Sequence, residues 1–429
     1  MWCPVNNLPN AIPVAAPVRA WLPGNHGHTA AATYEANFRD TTRAGSPRSA
    51  GAGLALTKAF FKHVLIISGC FRLGLLVATL GAGAVSLFAA DELPSYQPQV
   101  HVTGVLRSCG NPQMAALLKL WQAGFRRLQP DVQFADDLKS SASGMYGLDM
   151  RTADLALMGR PIFPYERYGV YERSWVYPAA IEVATGSAET VHKSPAYAIF
   201  VHQDNPLAQL SVRELDGVFG AERGGGWNAL TWDTSVARTP KDDIRTWGQL
   251  GLKGEWAAKP IHVYGQAGLG AGAITYFQSR VFGGGETWNE DLREYADRAQ
   301  MLANLARDPA GIAYAPAAYG NAGVKALALA ETKAGPYVTL SRASVADRSY
   351  PLHRPVYICY TMDNLNTELS PTLGDPRVKE FLRYILSKQG QADVMKEGSY
   401  LPLPPAAVRA QLGKLESTGI PPEHRFMED

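Results

Sequence analysis

From Val100 onward, short apolar runs suited to strands alternate with longer stretches of helical period. That alternation restricts the fold to the α/β class with largely parallel sheets. Val100 to Leu106 reads as a strand. Asn111-Pro112 then opens a helix with Met114, Leu117, Leu118, Trp121 and Phe125 on one face. Asn caps free N–H groups, and Pro at the first helical position lacks one to satisfy. Val132 to Phe134 is the next strand. The small-residue loop Ser140-Ser141-Ala142-Ser143-Gly144 leads into a second helix, and Asp154 to Met158 is a strand ending at Gly159-Arg160-Pro161. Tyr197 to His202 is a buried strand closed by Asp204-Asn205-Pro206, and Ser211 to Glu214 has capping-box spacing ahead of a helix running to Phe219. Ile261 to Tyr264 runs into the Gly-rich stretch Gly265 to Ala273, followed by a helix carrying Ile274, Phe277 and Val281. Gly311 to Tyr314 and Leu327 to Leu329 are further short strands.

The chain has 429 residues, 46% of them hydrophobic, enough for two sizeable cores. A net charge of +2 leaves no basic footprint for nucleic acid. Residues 1–57 are rich in Ala, Pro and Gly without a sustained apolar period, and read as a disordered or over-long extension. Lys58, Lys62 and Arg72 precede the apolar run Leu73 to Ala90. A basic flank, an apolar core and small residues at its end make residues 58–90 a Sec-type signal peptide, cleaved between about Ser86 and Ala90. An uncleaved anchor is the alternative. The expectation is export to the periplasm or cell envelope. Cys109 and Cys359 then remain, and are expected to be free thiols although the compartment permits a disulfide.

The sequence has no H-E-x-x-H or C-x-x-C spacing, no G-x-S-x-G elbow, and no Gly-Lys-Ser/Thr after its Gly-rich run. No metal, cofactor or catalytic activity is expected.

Two segments near the C-terminus carry a resemblance. Tyr350 to Tyr360 reads YPLHRPVYICY. An amphipathic helix follows, with Phe381, Leu382, Ile385, Leu386 and Val394 at helical spacing, Gly398 as its stop and GSYLPLP after it. The order YPL-x-RP-x-Y, helix, LS-x-x-GQ, G-x-Y-x-PLP resembles the phosphate-type solute-binding proteins of bacterial ABC importers, and the resemblance covers roughly Val102 to Pro405. It implies a two-lobed type II periplasmic-binding-protein fold, each lobe a mixed, largely parallel sheet flanked by helices. Lobe 1 would hold residues 100–200 and 338–412, lobe 2 residues 201–337, and residues 413–429 would be a tail. Such a protein is a monomer that closes on phosphate or another small oxyanion or polar solute and delivers it to an ABC permease. The alternative is a ligand-weak envelope scaffold or sensory protein that retains the fold.

The resemblance also implies a ligand set. The family holds its anion on three loops that feed helix N-termini, where free N–H groups, hydroxyls and an Arg converge. The first loop, G-S-x-T, is matched by Gly110-Asn111-Pro112-Gln113. The second keeps hydroxyls at Ser141 and Ser143, followed by Gly144. The strand D-I-G-x-M-S-R becomes Asp154 to Arg160, with Gly159 in place of Ser. In the third loop the family Arg is matched by Gln266, and two hydroxyl positions are Ala271 and Ala273 around Gly272. Ser194 stands where the family has an acid that accepts the anion's proton. Gly110, Asn111, Gln113, Ser141, Ser143, Gly144, Arg160, Gln266, Gly272 and Ala273 form the expected set. Each lost charge-assisted hydrogen bond is worth roughly 1.5–3 kcal/mol, so phosphate is expected to bind more weakly here than to a typical relative.

Overall fold

The protein is described by a computed structural model covering residues 92–174, 177–228, 231–266, 272–362 and 374–417, all within one compact unit. The expected extension and signal segment, residues 1–90, lie outside the described residues, as do residues 418–429.

The first elements are β1 (Gly104–Gly110), α1 (Ala115–Arg126), β2 (Val132–Leu138), α2 (Ser141–Asp149), β3 (Leu155–Met158), α3 (Pro164–Ser174) and β4 (Ala179–Thr185). There follow β5 (Tyr197–His202), β6 (Gln209–Ser211), α4 (Val212–Phe219), β7 (Gly226–Asn228), β8 (Thr231–Asp233), β9 (His262–Gly265), α5 (Gly272–Val281), β10 (Arg293–Glu294), α6 (Arg298–Leu305), β11 (Gly311–Pro316), β12 (Val324–Ala326) and β13 (Ala328–Ala330). Next come α7 (Arg342–Ala346), β14 (Pro355–Tyr360), α8 (Pro376–Ile385), α9 (Lys388–Glu397) and α10 (Pro405–Glu416).

Two five-stranded sheets carry the fold, ordered β2-β1-β3-β14-β4 and β10-β9-β11-β5-β12. β1 runs parallel to β2 and β3, as helical crossovers require, whereas β14, returning from the second sheet, enters antiparallel between β3 and β4. In the second sheet β9 is parallel to β10 and β11, and β5 is antiparallel to β11 and β12. The chain leaves the first sheet after β4 and returns to it at β14. All of β5 lies in the second sheet, so residues 197–200 belong there rather than to the first lobe. Tyr350 and Leu352 also pack in the second core, and the Tyr350 hydroxyl donates to the Tyr197 carbonyl at 2.9 Å. The return therefore falls later than residue 338.

The first core packs Trp121 and Phe125 of α1 against Phe381 and Tyr384 of α8, with the Phe125 and Phe381 rings 5.2 Å apart. The second gathers Phe219, Trp247, Phe277 and Tyr314, the last two stacked at 4.1 Å. Three expectations need correction. β1 begins at Gly104, not Val100. The single C-terminal helix is two: Ser387 caps α9 by accepting the Gly390 N–H at 3.2 Å. Gly390 sits so close to α8 that a Cβ would lie 2.2 Å from the Tyr384 carbonyl oxygen. Nor does a tail begin at residue 413. α10 continues to Glu416, which accepts from Arg383 Nε at 2.5 Å, and Leu415 is buried.

Cys109 and Cys359 are free thiols. Cys109 on β1 and Cys359 on β14 both stand opposite Ala156 of the intervening β3. Two strand spacings, about 10 Å, separate them, beyond disulfide reach. Burial pushes the Cys359 thiol up to about 12. Among the described residues no helix is long and apolar enough to cross a membrane.

Candidate functional site

A cleft of about 340 Å³ opens where the ends of β1, β3 and β11 meet the starts of α2, α5 and α6. Strand carboxyl ends and helix N-termini are where an α/β sheet leaves backbone N–H groups unpaired.

On the β1 side, Asn111 caps the short 3₁₀ turn after the strand, its Oδ1 accepting the Gln113 N–H at 3.0 Å. Across from it, Gly159 ends β3. A Cβ at Gly159 would lie 2.4 Å from Asn111 Nδ2 and 3.0 Å from Ser194 Oγ. The Asn and the Gly are therefore matched: the amide occupies the space that a side chain at residue 159 would take.

At α2, Ser140 is the N-cap. Its Oγ accepts the Ser143 N–H at 3.0 Å, while Ser143 Oγ accepts the Ser140 N–H at 3.0 Å and donates to the Ser140 carbonyl at 2.8 Å. Ser143 is thus occupied by the cap and does not line the cleft. Ser141 does line it, and accepts the Gly159 N–H at 3.1 Å. Ser143→Ala removes only the N3 half of the capping box and is expected to lower stability by about 0.5–1.5 kcal/mol, the worth of a neutral hydrogen bond, without changing ligand affinity. Ser141→Ala should lower affinity. Thermal unfolding and calorimetry on the two variants separate the roles.

Arg160 faces the cleft but is committed within the first lobe. Its guanidinium forms a two-pronged pair with Glu166 at 2.7 and 2.6 Å, donates to the Pro161 carbonyl at 2.9 Å and lies 4.0 Å over the Phe163 ring. Gly272, at the start of α5, packs on that side chain: a Cβ there would lie 3.1 Å from Arg160 Cβ.

Of the expected set, then, Asn111, Gln113, Ser141, Arg160 and Gly272 meet at the cleft, whereas Gly110, Ser143, Gly144 and Gln266 do not line it. Gly110 and Gly144 pack against each other and against β3. Gln266 turns its amide to the Tyr295 and Ala296 carbonyls, both at 3.1 Å. Ala271 and the side chain of Ala273 lie outside the described residues.

The structure adds residues that the sequence reading did not place in the site: Tyr197, Arg298 and Arg354. Arg354 is 7% exposed and donates from Nη2 to the Gly159 carbonyl at 2.9 Å. Its motif was visible in YPLHRP, but as a mark of the fold rather than as a charge. Arg298 is the first residue of α6 and sits in a polar stretch with no local signal.

The first crossing segment borders the cleft in left-handed backbone at His192 (φ 63°) and Ser194 (φ 49°). Lys193 between them pairs with Glu397 at 2.7 Å and donates to the Gln113 carbonyl at 3.1 Å. Burial works to raise the Glu397 pKa, but hydrogen bonds from Lys193 and from the Tyr400 and Ser399 N–H groups outweigh it and hold the carboxyl below 4.5. A carboxyl depressed in the folded state stabilises above its unfolded pKa, and that contribution fades as pH falls through the folded value. The loss in unfolding midpoint caused by Glu397→Gln should therefore be greatest near neutrality and close progressively below pH 4.5.

The lining of the cleft includes three arginines and one histidine, and among the described residues no carboxylate. A second hollow of about 500 Å³ is lined by Glu182, Asp233 and Glu286 beside Arg167 and Lys414, a mixed field poorly suited to an anion. Among the described residues no cluster of His, Cys, Asp or Glu could hold a metal ion.

Two mixed sheets flanking a cationic cleft define a two-lobed solute-binding protein. The PBP superfamily domain matches residues 98–389. The phosphate-binding protein PstS of Pseudomonas aeruginosa is 32% identical over 326 residues, 76% of this chain and 91% of that protein. Among solved structures, an ABC-type phosphate transport receptor from Vibrio cholerae is 17% identical with a TM-score of 0.43, over 69% of this chain and 99% of that one. PstS from Borrelia burgdorferi is 14% identical with a TM-score of 0.44, over 70% and 98%. The chain belongs to the PBP superfamily and to the family of the PstS phosphate-binding proteins.

Proposed function

We propose that the protein captures a small oxyanion of the phosphate class between its lobes and delivers it to an ABC permease. The observation that carries this reading is the charge of the cleft: Arg298 and Arg354 stand in its wall without an ion-pair partner among the described residues, and no carboxylate lines it. A cleft with arginines, helix N-termini and hydroxyls in its wall favours anions over neutral or cationic solutes. The relatives' names support phosphate as the first ligand to try. The signal-like segment at residues 58–90 supports export to the periplasm, and a monomer with residues 100–185 and 355–416 in its first lobe is the working unit. Phosphate affinity is expected to fall below that of a typical relative, because Gln266 replaces the family Arg and Ser143 is committed to its cap.

Isothermal titration of the exported chain with inorganic phosphate, sulfate and a neutral sugar tests the reading. Binding of an oxyanion with no response to the sugar supports it. Silence toward every oxyanion overturns it and leaves the scaffold alternative.

A further inference from the structure

We propose that Arg298 and Arg354 form an arginine pair that holds a doubly charged oxyanion, with Gln266 positioning the first of them. This rests on reading the cleft as an oxyanion site. Arg354, on the segment returning to β14, is fixed on three sides. Nη2 donates to the Gly159 carbonyl at 2.9 Å, and the guanidinium carbon lies 5.5 Å from the Tyr197 ring and 5.6 Å from the Tyr276 ring. Its Nε is buried and has no hydrogen-bond partner among the described residues. A guanidinium held rigidly in a cleft wall, with no carboxylate pairing it among the described residues, suits an anion that fills the cleft. The aromatic faces support the positive charge without neutralising it.

Arg298 also borders the cleft. It shares the cleft wall with Tyr197, the residue on whose ring Arg354 rests, and lies 6.0 Å over the Tyr319 ring. No carboxylate pairs with it among the described residues. Its neighbour Asp297 is used by the helix, accepting the Gln300 N–H at 2.7 Å. What holds this segment is Gln266, whose amide donates to the carbonyls of Tyr295 and Ala296, three and two residues before Arg298. The residue at the family's arginine position therefore carries no charge itself but fastens the strand end that delivers one. Two permanent charges with no carboxylate in the wall select an anion by charge and by oxygen count.

The test is calorimetry of the exported chain with inorganic phosphate and with sulfate, thermal unfolding being measured alongside. Arg298→Gln should weaken oxyanion binding roughly 10- to 100-fold and leave unfolding unchanged. Arg354→Lys keeps the charge but loses the planar donor set, and should weaken binding by a similar factor. Gln266→Ala should weaken binding in the parent and add nothing in the Arg298→Gln background, a coupling that a merely structural role would not produce. Parent-like affinity in Arg298→Gln and Arg354→Lys overturns the pair while leaving the oxyanion reading standing. A parent that binds neither anion overturns both. Should Arg354→Lys fail to fold, Arg298→Gln decides alone, unchanged affinity overturning the pair.

Discussion

Glu166→Gln is expected to lower the free energy of unfolding by about 3–5 kcal/mol, the scale of removing one partner from a buried ion pair. The Arg160 and Glu166 side chains are 3% and 5% exposed. Both carboxylate oxygens receive an Arg160 N–H, and one also accepts the Phe163 N–H at 3.0 Å. The amide cannot neutralise the guanidinium, so an uncompensated charge stays in a poorly solvated place. The same change has a second consequence. Arg160 lines the cleft, and freeing its charge should raise oxyanion affinity while stability falls. Replacing both residues with Met should cost much less than the single change, since the pair's own net contribution is small. Urea unfolding with calorimetry on the three proteins gives the answer. A Glu166→Gln variant as stable as the parent, with unaltered affinity, would sink the account of Arg160 as a charge committed to its own lobe.

Much of the fold was legible because local signals and tertiary packing agree. Asn111-Pro112 and Ser211 with Glu214 start helices where their side chains can accept backbone N–H groups, and both caps form. Tyr197 to His202 is apolar enough to name a buried strand, and it is one. The break between α8 and α9 was hidden because apolar spacing continues through it. The Ser387 cap and the tight packing of Gly390 decide it, and neither has a periodic signature. At the site, the loops could be found by their residues, but direction could not. Ser141 and Ser143 differ by two positions on one helical turn, so one hydroxyl faces the cleft and the other closes the cap. Gln266 and Arg298 are thirty-two positions apart in sequence and are joined only by hydrogen bonds to intervening carbonyls. No local pattern carries such a link.

Gly110→Ala is expected to destabilise the protein by roughly 2–5 kcal/mol, combining overpacking with left-handed strain. Gly110 ends β1 at φ 137°, a conformation that side chains rarely adopt. A Cβ there would lie 2.3 Å from the Leu157 carbonyl oxygen and 2.6 Å from its nitrogen. Those atoms are backbone of β3, paired in register with Gly110, and cannot swing aside as a side chain could. The strand must retreat, and the Asn111 N–H bond to the Leu157 carbonyl, 2.9 Å long, goes with it. Asn111 is the residue that fills the space left by Gly159, so the damage reaches the cleft and oxyanion affinity falls together with stability. Gly144→Ala is the control. Its nearest contacts begin at 3.1 Å, and its backbone is helical. The neighbours there need give only a few tenths of an ångström, and the cost should be clearly smaller. Denaturant unfolding of both variants, with phosphate titration of the folded material, measures the two effects. If Gly110→Ala lay within about 0.5 kcal/mol of the parent, the range of an ordinary surface change, then β1 would not meet β3 as closely as the structure places it.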